Sequence, residues 1–172
     1  SMVVVPVAPI EAIWCEELYD DKDNKVQGGY RETPRRGFLP KSEPHPEGTL
    51  YRKAGYRLLC MPMSEIEANY KHKTKVLPYS MLIKGSSKWS AGDNIIKEFA
   101  KLVSLKKMPY ELAIEIISVL DNYNGNTFYK MLTKSMTYIS DKEKLEYMRE
   151  LSSDMSSFNS VKKDTDNNEQ FF

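Results

Sequence analysis

From Ser90 onward, apolar residues recur at intervals of three and four, which is the period of an amphipathic helix. Ser90 and Asp93 have S-x-x-D cap spacing, Ile95, Ile96, Phe99, Leu102 and Val103 follow on one stripe, and Lys106 and Lys107 suit the negative helix end. Pro109 restarts a helix whose stripe is Ala113, Ile116, Ile117 and Leu120, and the residues around Gly125 break it. Phe128, Met131, Leu132 and Ile139 mark a third helix, and Ser140 with Glu143 caps a fourth carrying Leu145, Met148 and Leu151. Connections this short predict an antiparallel helical bundle over 90–155, with Ile96, Phe99, Ile117, Leu120, Phe128 and Leu132 as its core.

Upstream of Ser90 the pattern is shorter and more broken. Thr49 to Met61 reads as two short strands reversing at Lys53, Ala54 and Gly55. Ser64 and Glu67 cap a short helix to about His72, and Val76 to Lys84 has strand character that Pro78 confines to an edge. Glu11 to Tyr19 reads as a short docking helix anchored by Trp14. Asp20 to Gly48 combines few apolar residues with dense Gly, Pro and charge, so it reads as an exposed linker. The expected architecture is α+β: a flexible N-terminal segment (1–48), a single domain over 49–155 with a small basic, strand-containing part (49–89) and a compact bundle of about four short helices (90–155), then a polar tail (156–172) ending in Phe171 and Phe172.

A chain of 172 residues with 41% apolar content is enough for one packed core. It has no apolar run of roughly 18 residues, so a membrane-spanning helix is not expected. Cys15 and Cys60 have no disulfide or metal spacing, which fits a reducing, intracellular compartment, cytoplasmic or nuclear. Charge changes the picture more. The net charge of +1 conceals thirteen Lys/Arg against five Asp/Glu between residues 25 and 90. Aromatic residues interleave with those cations, as in Tyr51-Arg52-Lys53, Tyr56-Arg57, Tyr70-Lys71 and Lys88-Trp89. Clustered cations with rings between them favour an anionic partner.

Ordinary catalytic chemistry finds little support. The two histidines stand apart, His45 between prolines and His72 between lysines, and neither context favours a metal. No phosphate-binding or dinucleotide motif occurs, and Gly85-Ser86-Ser87-Lys88 reads as a polar loop more than an anion site. Met131, Met136 and Met148 read as core, with a Met-rich partner-binding face as the alternative. Tyr110, Asp121, Tyr123, Gly125 and the run Phe128-Tyr129-Lys130-Met131-Leu132 resemble, over about twenty residues, the first helical region of rhabdovirus matrix proteins. That resemblance implies a small assembly protein touching anionic surfaces.

The expected function is a non-catalytic interaction or assembly module that requires no cofactor. Arg52, Lys53, Arg57, Lys71, Lys73, Lys75, Lys84 and Lys88 are expected to form its electropositive face, with Trp14 and the methionines as partner contacts. The partner is a protein or a second copy, and the anionic partner a nucleic acid or an anionic membrane surface. The alternatives are a backbone-directed RNA or DNA binder and a peripheral, matrix-like membrane-associated protein.

Overall fold

Leu112, Ile114 and Ile116 fall at every second position, and in the computed structural model, which describes residues 1–165, they share one face of a strand. The elements are β1 (Met2–Pro6), β2 (Glu11–Tyr19), β3 (Lys25–Pro34), β4 (Ser42–His45), β5 (Gly48–Pro62), α1 (Met63–Asn69), β6 (Tyr79–Lys84), α2 (Asp93–Ser104), β7 (Leu112–Tyr123), β8 (Asn126–Tyr138) and α3 (Lys142–Thr165). The eight strands form one antiparallel sheet in the order β3-β2-β5-β1-β7-β8, with β4 and β6 also paired to β5.

The fifteen-residue β5 is used twice on each edge. Along one edge it pairs with β2, from Glu11↔Arg57 to Tyr19↔Thr49, and then with β1, ending at Val4↔Pro62. Along the other it pairs with β4 as far as Ser42↔Tyr51 and with β6 from Gly55↔Lys84 onward. Alternation then distributes its side chains to two cores. Tyr56, Leu58 and Cys60 join Val4, Ile83, Leu112 and Ile114 beneath Ile95 and Leu102 of α2. On the opposite face, Val5, Val7, Met61 and Ala113 pack under Ile66 of α1 and Tyr147, Met148 and Leu151 of α3. The centre of the sheet is therefore covered on both sides.

This arrangement corrects the expected fold class. The sheet dominates, and residues 90–155 do not form a helical bundle. The helices expected around Ile116 and Met131 are the two arms of a hairpin, β7 and β8, closed at Tyr123↔Asn126. Asn124 and Gly125 both adopt positive φ, 50° and 79°, as a two-residue turn matched to strand twist requires. Because β7 is buried on both faces where it meets β1, its apolar residues run nearly continuously and satisfy a helical stripe by coincidence. Past Ile116, the last β7 residue paired to β1, the hairpin continues as a two-stranded arm with Leu120, Tyr123 and Tyr129 exposed.

The N-terminal 48 residues are likewise not a flexible segment ahead of the sheet. They contribute β1 to β4, and the Glu11–Tyr19 stretch expected to be a docking helix is the strand β2. Many of the β3 and β4 residues have exposed side chains, so their place in the sheet comes from backbone pairing that hydrophobic patterning does not register. Lys53 to Gly55, expected as a turn, lies mid-strand in β5. The helices that do match expectation are α1, α2 and the start of α3, where Asp141 rather than Ser140 accepts the first free amides, from Glu143 and Lys144. The polar tail expected over 156–172 overlaps α3 as far as Thr165, and its remainder, with Phe171 and Phe172, lies outside the described residues.

The outer edge of β8 is held by side chains. The Met131 amide donates to Ser87 Oγ at 2.9 Å, and Ser90 Oγ donates to the Met131 carbonyl. Gly85-Ser86-Ser87-Lys88 thus leads into an edge clamp, with Ser87 buried.

Two substitutions separate the hairpin from a bundle. Ile114→Ala should cost about 2–5 kcal/mol, because the side chain is fully buried. Leu120→Ala, at 61% exposure, should stay within about 0.5 kcal/mol. Chemical denaturation midpoints check both, and equal losses would contradict the observed register.

Candidate anion-binding groove

Between the end of its pairing with β4 at Tyr51 and the start of its pairing with β6 at Gly55, β5 has no strand on its outer edge. Only the Arg52 amide is engaged by the neighbouring segment, donating to the Lys41 carbonyl at 2.7 Å. At this interruption the surface opens into a groove of about 1030 Å³, bordered by Trp14, Arg35, Phe38, Lys53, Lys88 and Trp89.

Strand register places its floor. Trp14 of β2 stands opposite Ala54 of β5, so a small residue leaves room beside the indole. Tyr56, two residues on and on the same face, is pressed by the chain entering α2. A Cβ on Gly92 would lie 2.3 Å from its ring, so only glycine permits this approach. The Tyr56 hydroxyl donates to Asp93 at 2.7 Å, and burial together with that bond raises its pKa.

The rings are dressed with cations. Arg35, anchored by its amide to the Ala12 carbonyl at 2.9 Å, places its guanidinium 5.7 Å from the Trp14 ring and 5.3 Å from that of Tyr56. The Lys88 ammonium lies 3.8 Å from the centre of the Trp89 ring and 3.4 Å from Asp93. Trp89 is 70% exposed and Phe38 94% exposed, both bordering the opening.

Behind the groove lies a buried charge network. Glu16 accepts from Arg31 at 2.8 Å, from Thr33 at 3.0 Å and from Arg52 at 3.2 Å. Arg52 completes its fork on Glu43 at 2.9 and 2.8 Å. Burial alone would raise the Glu16 carboxyl, but the three donors outweigh it and hold the pKa below the ordinary 4.5. Arg52 is pushed above its usual value by the Glu43 bond and then by Glu16.

The eight expected cations accordingly separate. Arg52 is buried in the network, and Arg57 is paired with Glu32 and Ser80. Lys73 and Lys75 pair with Glu150 and Asp154 of α3, with Lys71 beside them over the Tyr70 ring. Lys53 and Lys88 border the groove, and Lys84 adjoins it, 5.8 Å from the Tyr30 ring. Lys41 and Lys53 are exposed and have no ion pair among the described residues. Arg35, Lys41, Phe38 and Trp89 were not anticipated as site residues, although the apolar pair Phe38-Leu39 inside a polar stretch is a signal for them.

Of the expected partner contacts, Trp14 lies in the groove. Met131 and Met136 pack, half-buried, against the first core, and Met148 is fully buried in the second. No group of three or more potential metal ligands occurs among the described residues. Cys15 and Cys60 are free and buried, and burial pushes the Cys60 thiol up to about 11. No helix among the described residues is long and apolar enough to cross a membrane. The arrangement offers cations and planar rings in one cleft. No protein-family model, curated protein or solved structure matches the chain.

The network makes stability pH-dependent with a definite sign. Because the Glu16 carboxyl sits below 4.5 when folded, its contribution is complete above that value and is lost as pH falls through the lowered folded pKa. Glu16→Gln should cost roughly 3 kcal/mol or more at pH 7, since it strips a buried guanidinium of a charged partner. It should also flatten the acid limb of a stability-against-pH curve measured by denaturant unfolding. An acid limb identical to that of wild type would show that Glu16 does not carry it.

Proposed function

We propose that the protein is a non-catalytic interaction module that receives an anionic partner in the groove where β4 and β6 leave β5 uncovered. The observation that carries this reading is the convergence of Lys41 and Lys53, exposed and without an ion pair among the described residues, with Arg35, the Asp93-paired Lys88 and two exposed rings on one cleft. Cations without partners keep their charge for a ligand. Those already bonded to carboxylates, such as Arg52, gain little from another anion. The charge that sequence distributes over residues 25–90 therefore acts at one place, not over a continuous face. The free thiols of Cys15 and Cys60 fit an intracellular setting.

Retention on a polyanion column tests the site. Lys41→Glu with Lys53→Glu should lower the salt at which the protein elutes and reduce the salt slope by about one unit per lysine removed. Reversing Lys71, Lys73 and Lys75 should leave elution much closer to wild type, because two of them are already paired to α3. The opposite ranking would move the site away from the groove.

A further inference from the structure

We infer that the occupant of the groove is a single strand of nucleic acid, whose phosphates meet the lysines while its bases stack on Trp89 and Phe38; this rests on the anion-binding reading above. A nucleic-acid strand alternates charge with flat π-faces every nucleotide, and the groove is lined by both cations and rings. Lys88 adjoins Trp89, Arg35 precedes Phe38 by three residues, and Tyr51 is followed by Lys53 two positions on. A base laid on an exposed ring gains stacking regardless of its identity, while backbone phosphates gain from the cations beside it.

Shape narrows the choice of polyanion. A bilayer presents a plane and cannot enter a cleft, so the cations that lie inside, Arg35 above all, would stay out of its reach. A duplex keeps its bases stacked on one another, with no face to offer to an exposed ring. An acidic peptide would satisfy the cations and leave Trp89 and Phe38 in water. A single strand uses both sets of groups. The charge of the lining agrees, since Arg52 is matched by Glu16 and Glu43 and Lys88 by Asp93, which leaves Arg35, Lys41 and Lys53 against Glu17 and Asp23, and Glu17 is already paired with Lys25 at 3.4 Å.

Both tryptophans of the chain border this groove, so intrinsic fluorescence reports on it directly. Titration with an oligouridylate of about 12 nucleotides should quench tryptophan emission, and fluorescence anisotropy of a labelled strand should give affinity. Trp89→Ala and Phe38→Ala should each weaken strand binding by about tenfold or more, within the range that one base–ring stack supplies. Because both side chains are exposed, neither change should unfold the protein, and neither should alter retention on inorganic polyphosphate, which has charge and no bases.

Other results point elsewhere. Polyphosphate retention that depends on Lys41 and Lys53, with strand binding unaffected by Trp89→Ala, would overturn the single strand and leave the anion groove standing. Tighter binding to a duplex, to polyglutamate or to vesicles rich in anionic lipid would also overturn it, in favour of that partner. Failure of wild type to bind polyphosphate and strand alike at low salt would sink both readings.

Discussion

The hydrogen-bonding capacity of β5 is the constraint on which the rest of the molecule depends. A strand has two edges, and this one is long enough to hold a pair of neighbours on each. β1 and β2 share one edge, β4 and β6 the other. The remaining three strands reach the sheet only through β1 or β2. Its C-terminal end is also where the two cores divide, since consecutive residues such as Cys60 and Met61 serve opposite sides. A slip of one residue in this strand would exchange the cores and expose both.

The groove follows from the same constraint. Two short strands sharing one edge leave a gap between them, and at the gap Arg52 is fastened to Glu16 and Glu43 while Lys53, the next residue, borders the opening with no ion pair among the described residues. Neighbouring cations of one sequence pair thus take opposite roles, one structural and one available. The desolvated Glu16–Arg52 contact is sound only because Arg31, Thr33 and Glu43 complete the hydrogen bonds on both groups.

How much of this was legible varies by element. α1, α2 and the start of α3 were readable from apolar residues at helical spacing, although the expected caps fail for two of them: α1 starts at Met63, ahead of Ser64, with no side-chain cap, and Asp93 bonds Tyr56 and does not cap α2. β7 and β8 were not read, because apolar residues needed on both faces fill a helical stripe as readily as a strand. The Asn124-Gly125 pair was the local sign that decides between them. β3 and β4 were missed for a different reason, since backbone pairing holds them while many of their side chains face water. For the site, interleaved aromatic and basic residues drew notice to Lys53 and Lys88, and Trp14 was noticed as the anchor of a helix that is in fact the strand β2; all three border the groove. Which cations were free could not be read from one dimension, because ion pairs such as Arg52–Glu43 and Lys75–Asp154 depend on the fold. The twenty-residue resemblance to a helical region of rhabdovirus matrix proteins falls largely on the β7–β8 hairpin, so it does not extend to secondary structure.

The serine hydroxyls that hold the amide and carbonyl of Met131 have a consequence for how the molecule behaves in a crowd. β8 is the last strand on its side of the sheet, and an uncovered margin of that kind is where foreign chains add on and fibrils grow. With Ser87 and Ser90 occupying both backbone groups at its middle, β8 has no unbroken ladder to offer a newcomer. A chain carrying a hairpin that projects beyond its neighbours thereby limits its own polymerisation, and Lys130 and Lys134 add charge along the same strand.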